Sequence, residues 1–302
     1  MIVAKTGIQS MDHTKALIDG RVTVPGVTFA FEDVPVVIKV FRRMVRGLEF
    51  DIAEMAMTTY LCARAHGKPF TAIPVFPVRA FHHGAILVHK NSGITEPKQL
   101  EGRKVGVNRG YTVTTGVWAR AALAHDYGVD LSKITFLLSG DEHVAEFRPP
   151  ANVISVGDEK SLEQMLLDGE IAAAINIQPE HPDIVPLIPN AEQLCFDKMR
   201  ESGFYPINHT IVVKDALLAA HPDLAGKLFQ AFAESKRIFL DNPVGEPGKW
   251  DKLHRRVLAT GRDPYPYGIE PNRAMLEALT GYAVEQGILP RPVAVESLFA
   301  PV

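Results

Sequence analysis

Short apolar runs with strand character alternate with helix-period segments along most of this chain, and that alternation restricts the fold more than any other feature. The strand-like runs begin with Ile2–Ala4, Val27–Phe31 and Phe50–Met57 and continue with Lys104–Val107, Ile134–Leu138, Val153–Val156 and Ile171–Ile175. Between them Val36–Arg46 carries Val36, Val37, Val40, Phe41 and Met44 on one helical stripe. The segments Tyr60–Ala65, Thr115–Tyr127 and Ser161–Leu167 are helical in the same way. Strand–helix–strand order implies βαβ units and α/β architecture with mostly parallel sheets.

At 302 residues the chain is long for a single core, so two lobes are expected. One αβ module, a second inserted into it, and a return to the first is the order of a hinged two-lobed binder. The crossings fall near 92 and 202, so residues 1–92 with 202–302 form one lobe and 93–201 the other. A ligand would lie in the cleft between them. Arg273–Gln286 is read as a terminal helix, and Asn242–Trp250 as a Pro- and Gly-rich connection.

The densest chemistry lies in Thr71–His89, TAIPVFPVRAFHHGAILVH. Pro74 and Pro77 cannot donate ladder hydrogen bonds, so a regular strand is not expected before Arg79. Arg79, His82 and His83 then crowd against an apolar run. A cation and two imidazoles so placed point to ligand binding or proton transfer.

Other candidates sit where strands hand over to helices. Asp12 reads as an N-cap, and the helix start beside it, with His13, is a place for an anion. Glu54 lies within the third run, and Thr58 and Thr59 follow it as potential donors to a carboxylate. The polar loop Asn108–Thr115 feeds a helix N-terminus, so Asn108, Arg109, Tyr111, Thr112 and Thr114 are candidate anion contacts. Neither glycine pattern of a nucleotide loop is present there.

A net charge of −3 with no long Lys/Arg run argues against a nucleic-acid partner. No apolar run approaches the roughly 20 residues of a membrane span. With no basic leader and no cleavage site at the start, a cytoplasmic protein is expected. Cys62 and Cys195 match no metal spacing and read as buried thiols.

Five segments together resemble the 4,5-dihydroxyphthalate decarboxylase family: Ala16–Val22, Ile73–His83, the loop and helix GVNRGYTVTTGVWARAALAHDYGV, Phe204–Val213 and Asp263–Leu279. The match spans nearly the whole chain. It implies the fold of the type II periplasmic solute-binding proteins, and non-oxidative loss of CO₂ from a hydroxylated aromatic acid. Positions that are cationic in the family pattern carry His82, His13 and Ile177 here, the last in Ile177-Gln178-Pro179. An aromatic acid with one carboxylate is therefore expected alongside a phthalate.

On that resemblance Arg79 holds the carboxylate, with Thr58, Thr59 and the Asn108–Thr115 loop as co-donors. His82 or His83 is the candidate acid, and His209 and Glu54 serve the phenolic side. His209 reads equally well as a core imidazole. No cofactor is expected. The alternative is a divalent cation held by His82 or His83 with Glu54 and His209, a spacing unlike any compact ligand motif. The expected partner is a small aromatic carboxylate, and a homo-oligomer is compatible with the chain. The competing function is a non-catalytic binding protein that passes a small organic acid to a transporter or sensor.

Overall fold

In the computed structural model, which describes residues 1–157, 160–248 and 251–302, five apolar runs form one mixed sheet. They are β1 (Ile2–Gly7), β2 (Val27–Phe31), β3 (Ile52–Ala56), β4 (Phe70–Ile73) and β11 (His209–Lys214), in the order β2-β1-β3-β11-β4. Strands β1, β2 and β3 run parallel, while β11 is antiparallel to both β3 and β4. All five residues of β3 are buried, as expected of a central strand covered on both faces. The carboxyl ends of β1, β3 and β4 and the amino end of β11 therefore share one edge of the sheet.

The helices of this unit include α1 (Lys15–Ile18), α2 (Val37–Gly47), α3 (Met57–Ala65), α7 (Asp215–Ala220), α8 (Leu224–Asp241) and α9 (Asp251–Leu258). The stripe read from the sequence is the buried face of α2: Val37, Val40, Phe41, Met44 and Val45. That helix ends where Leu48 turns left-handed, with φ 49°. Of the Pro- and Gly-rich stretch Asn242–Trp250, Lys249 and Trp250 lie outside the described residues.

The second sheet has the order β10-β5-β9-β6-β7-β8. Its strands are β5 (Ile86–His89), β6 (Lys104–Val107), β7 (Thr135–Leu138), β8 (Val153–Ser155), β9 (Ala173–Ile175) and β10 (Ile184–Pro186). Strands β6 to β9 pair in parallel, whereas β5 is antiparallel to β9 and β10. Helices α4 (Thr114–Tyr127), α5 (Leu162–Leu167) and α6 (Ala191–Ser202) accompany it. A Cβ on Gly106 in β6 would meet Leu162 of α5 at 2.8 Å, so the bare backbone is what lets that side chain seat. Helix α4 ends at Gly128, which takes φ 65° and donates to the Ala124 carbonyl.

Two compact units result. One comprises Met1–Ala80, Ile207–Thr280 and Arg291–Val302, the other Phe81–Pro206 and Gly281–Pro290. The first crossing thus falls after Ala80 and not near 92, because β5 finds its hydrogen-bond partners in β9 and β10. The last turns of the C-terminal helix α10 (Arg273–Glu285) belong to the second unit from Gly281 onward. No helix among the described residues is long and apolar enough to cross a membrane.

Candidate active site

The polar groups of the first unit gather where β1, β3 and β4 end and β11 begins. Register explains the first pair. His209 lies opposite Ala56, and Ile211 opposite Glu54, so Glu54 and His209 are diagonal neighbours on one face of the β3–β11 ladder. Their side chains meet, with His209 Nδ1 at 2.6 Å from Glu54 Oε1. Gln9, in the turn after β1, braces the same carboxylate: its backbone N–H donates to Oε2 and its side-chain amide to Oε1, both at 2.9 Å. Phe41 of α2 meets the imidazole edge-on, with ring centroids 4.9 Å apart. Glu54 is only 1% exposed, so this carboxylate has traded water for three protein donors.

The turn that carries Gln9 also carries Asp12 and His13. Thr14, and not Asp12, stands before α1, and its hydroxyl donates to the Gln9 carbonyl at 2.9 Å. Asp12 instead accepts from Arg255 of α9 at 2.7 Å, so it ties two elements together and is not a helix cap. A single-turn helix of four residues offers little for a cap or an anion.

His13 is fully buried and stacked on Tyr265, with ring centroids 3.7 Å apart. Neither of its ring nitrogens has a hydrogen-bond partner among the described residues, and the same holds for the Tyr267 hydroxyl. The two rings lie 6.4 Å apart between centroids. Burial, assisted by the His254 and Lys236 charges, holds His13 well below the usual imidazole range. Burial likewise lifts the Tyr267 phenol well above its ordinary value. Both groups are therefore neutral at physiological pH, with hydrogen-bonding capacity unspent.

Arg79 is 2% exposed. Its Nη2 donates to the Asn272 side-chain carbonyl and, at 3.2 Å, to the Pro266 carbonyl. Asn272 returns two bonds to the backbone, at Pro266 and Gly268, each 2.7 Å long. His254 Nε2 donates to the Arg79 carbonyl at 3.2 Å, and burial pushes its ring down to about 3, the nearby Arg79 charge adding to this. After burial, the Asp263 charge also raises the Tyr267 phenol, and the Arg79 charge opposes it. Thr58 and Thr59 are wholly buried in the first turn of α3.

In the second unit, the expected anion loop is already occupied from within. Glu142 accepts from the Tyr111 backbone N–H, from the Thr112 N–H at 3.2 Å and from the Thr112 hydroxyl at 2.6 Å. A Cβ on Gly110 would lie 2.5 Å from that carboxylate. Asn108 donates to the Asn176 carbonyl at 2.7 Å, and Arg109 takes a left-handed φ of 68° with its N–H on Ser139. Thr114 is buried at the start of α4. The loop does capture a carboxylate, as its geometry demands, but the carboxylate is the chain's own.

His82 and His83 also belong to this second unit. His82 is buried, its ring parallel to that of Trp118. His83 has both nitrogens engaged: Nε2 donates to Asp126 at 2.7 Å, and Nδ1 lies 3.0 Å from Cys195 Sγ. Among the described residues no three His, Cys, Asp or Glu side chains are grouped to hold a metal ion.

Gln9, His254, Tyr267, Asn272 and Glu142 were not singled out from the sequence. The Asp263–Leu279 segment containing Tyr267 and Asn272 is one of the five that carry the family resemblance, and that is the available signal.

The model of the NMT1/THI5-like family matches residues 42–246. The 4,5-dihydroxyphthalate decarboxylase of Comamonas testosteroni is 28% identical over 317 aligned positions, 97% of this chain and 95% of the relative. A 4,5-dihydroxyphthalate decarboxylase of Pseudomonas putida is 33% identical over 171 positions, 53% of this chain and 65% of the relative. These relatives bear out the resemblance read from the motifs. Among solved structures, the periplasmic aliphatic sulphonate binding protein SsuA of Escherichia coli aligns with a TM-score of 0.58 at 12% identity, over 99% of this chain and 92% of that one. At that identity the likeness concerns the fold alone, and it bears out the type II binding-protein architecture.

Proposed function

The chain belongs to the NMT1/THI5-like family, and from that premise we propose that it is a carboxy-lyase releasing CO₂ from a hydroxylated aromatic acid, as the names of its decarboxylase relatives indicate. The observation that carries the reading is the buried Glu54–His209 pair, in the same unit as the buried Arg79, His13 and Tyr267.

Non-oxidative decarboxylation exchanges one ring substituent for another. A proton is delivered to the ring carbon that bears the carboxylate, the carbon–carbon bond breaks, and its electron pair restores the aromatic ring. A hydroxyl on the ring eases the first step by pushing electron density into the ring, its own proton passing to an acceptor, as positive charge develops there. Glu54 fixes Nδ1 of His209 as the donor to its carboxylate, which leaves Nε2 as the atom that carries the exchanged proton. Arg79 supplies the positive charge for a carboxylate, as a guanidinium does best in a dry site. The neutral His13 and Tyr267 offer an acceptor and a donor to ring hydroxyls. Each buried group left without a hydrogen bond costs about 1–3 kcal/mol, which ligand hydroxyls would recover.

The test is direct. Purified protein is incubated with 4,5-dihydroxyphthalate and with hydroxybenzoates carrying one carboxylate, and CO₂ is measured. Turnover of at least one acid supports the reading. Binding across the panel without CO₂ would leave a ligand-binding protein instead.

A further inference from the structure

A second group of reactive side chains lies within the second unit and takes no part in the chemistry above. Helix α4 presents Trp118, Ala121, Ala122 and His125 at helical spacing to a small, partly open pocket of about 80 Å³. Phe81, Phe204 and Tyr282 add aromatic walls. At one side of this pocket sit Cys195 from α6, His83 from the turn before β5, and Asp126 from the last turn of α4.

Their connectivity is directional. Cys195 Sγ lies 3.0 Å from His83 Nδ1, and His83 Nε2 donates to Asp126 Oδ2 at 2.7 Å. Lys198, one turn after Cys195 on α6, holds the other oxygen of Asp126 at 2.8 Å. A nucleophile bonded to a base, which is in turn oriented by a carboxylate, is the arrangement that activates a thiol. Both thiols are buried, but Cys62 shows a contrast: its sulfur is 3.8 Å from His66 Nδ1, and that nitrogen lies 2.9 Å from the Cys62 carbonyl oxygen.

We propose that Cys195, His83 and Asp126 form a thiol nucleophile that takes an acyl group from an activated ester of an aromatic acid. The thiol proton passes to His83 Nδ1, sulfur bonds to the acyl carbon, and the carbon–oxygen bond breaks. The departing oxygen takes the proton from the imidazolium. Water then cleaves the thioester, which releases the acid and restores the thiol. The aromatic walls select the acyl group, and Asp126 keeps the imidazole in the tautomer that faces sulfur.

The electrostatics agree with this geometry. Burial works against a proton on His83, but the hydrogen bonds and charges of Asp126 and Cys195 prevail and raise it to about 9. Asp126 is in turn pulled down to about 2, first by His83 and also by Lys198.

The probe is 4-nitrophenyl benzoate in excess over the intact protein. The expected result is a burst of one nitrophenolate per chain, with the benzoyl mass on the Cys195 peptide and none on Cys62. Cys195→Ser should abolish the burst, and His83→Gln should slow it on the order of 100-fold. A second measurement does not depend on any variant. Incubating the wild type with the ester should block alkylation of Cys195 by iodoacetamide, and reactivity should return as water cleaves the thioester. An unlabelled Cys195, a burst that survives in Cys195→Ser, or undiminished alkylation of Cys195 after the burst would overturn the proposal.

Discussion

His209 Nδ1 lies 2.6 Å from Glu54 Oε1, although 155 positions separate the two residues in the chain. The contact exists because β11 returns antiparallel beside β3, and because Gln9 holds the carboxylate from its other side. Replacing Glu54 by Gln keeps the shape and removes the charge. The prediction is a fall in the rate of CO₂ release of about 100-fold at saturating substrate, with a much smaller change in KM. His209→Ala should cost at least as much, and the double variant little more than the worse single one, as expected of groups that act as a unit.

Tyr267→Phe separates stability from recognition. The hydroxyl is buried without a partner among the described residues, so its removal should raise the melting temperature of the ligand-free protein slightly. The same change should weaken binding of hydroxylated acids while sparing their non-hydroxylated analogues. Thermal unfolding and ligand titration of the same variant measure both effects.

Acid should destabilise the first unit through its buried histidines. His254 is pushed down to about 3 by burial, and His13 is lowered by the same cause. Below pH 6.5 the unfolded chain takes up protons that the folded state refuses. Stability is therefore complete above about pH 6.5 and is lost as pH falls towards the folded values, at up to about 1.4 kcal/mol per pH unit for each such group. Urea midpoints measured from pH 7 to pH 4.5 should drop steadily, and His254→Gln should flatten the slope.

How much of this was visible beforehand depends on the range of the interactions concerned. The α2 stripe of Val37, Val40, Phe41 and Met44 was legible because helical periodicity reports burial directly. Strand β5 was legible as a strand but not in its allegiance, since its partners Ala174 and Val185 lie some 90 positions downstream. Asp12 had the chemistry of a cap, yet Arg255, more than 200 positions away, claims it. Nothing in the polar run Asp141–Pro150 announced that Glu142 would fold back to fill the Tyr111–Thr112 loop. Local pattern shows which groups could act, and long-range pairing decides which of them meet.

The Glu142 contact gives its own prediction. Glu142→Ala would leave the Tyr111 and Thr112 donors without their carboxylate. Stability should fall by about 1–3 kcal/mol. Added sulfate should restore part of that loss in the variant and change the wild type little, as followed by melting temperature.

Decarboxylation by this route delivers a proton to the ring carbon that bears the carboxylate. The most direct measurement is NMR of the aromatic product formed in D₂O, with CO₂ counted in the same reaction. The expected result is one CO₂ per product molecule and a single deuterium at the carbon that bore the carboxylate, both lost in His209→Ala. Saturable binding of the acid with no CO₂ and no ring deuterium would contradict it.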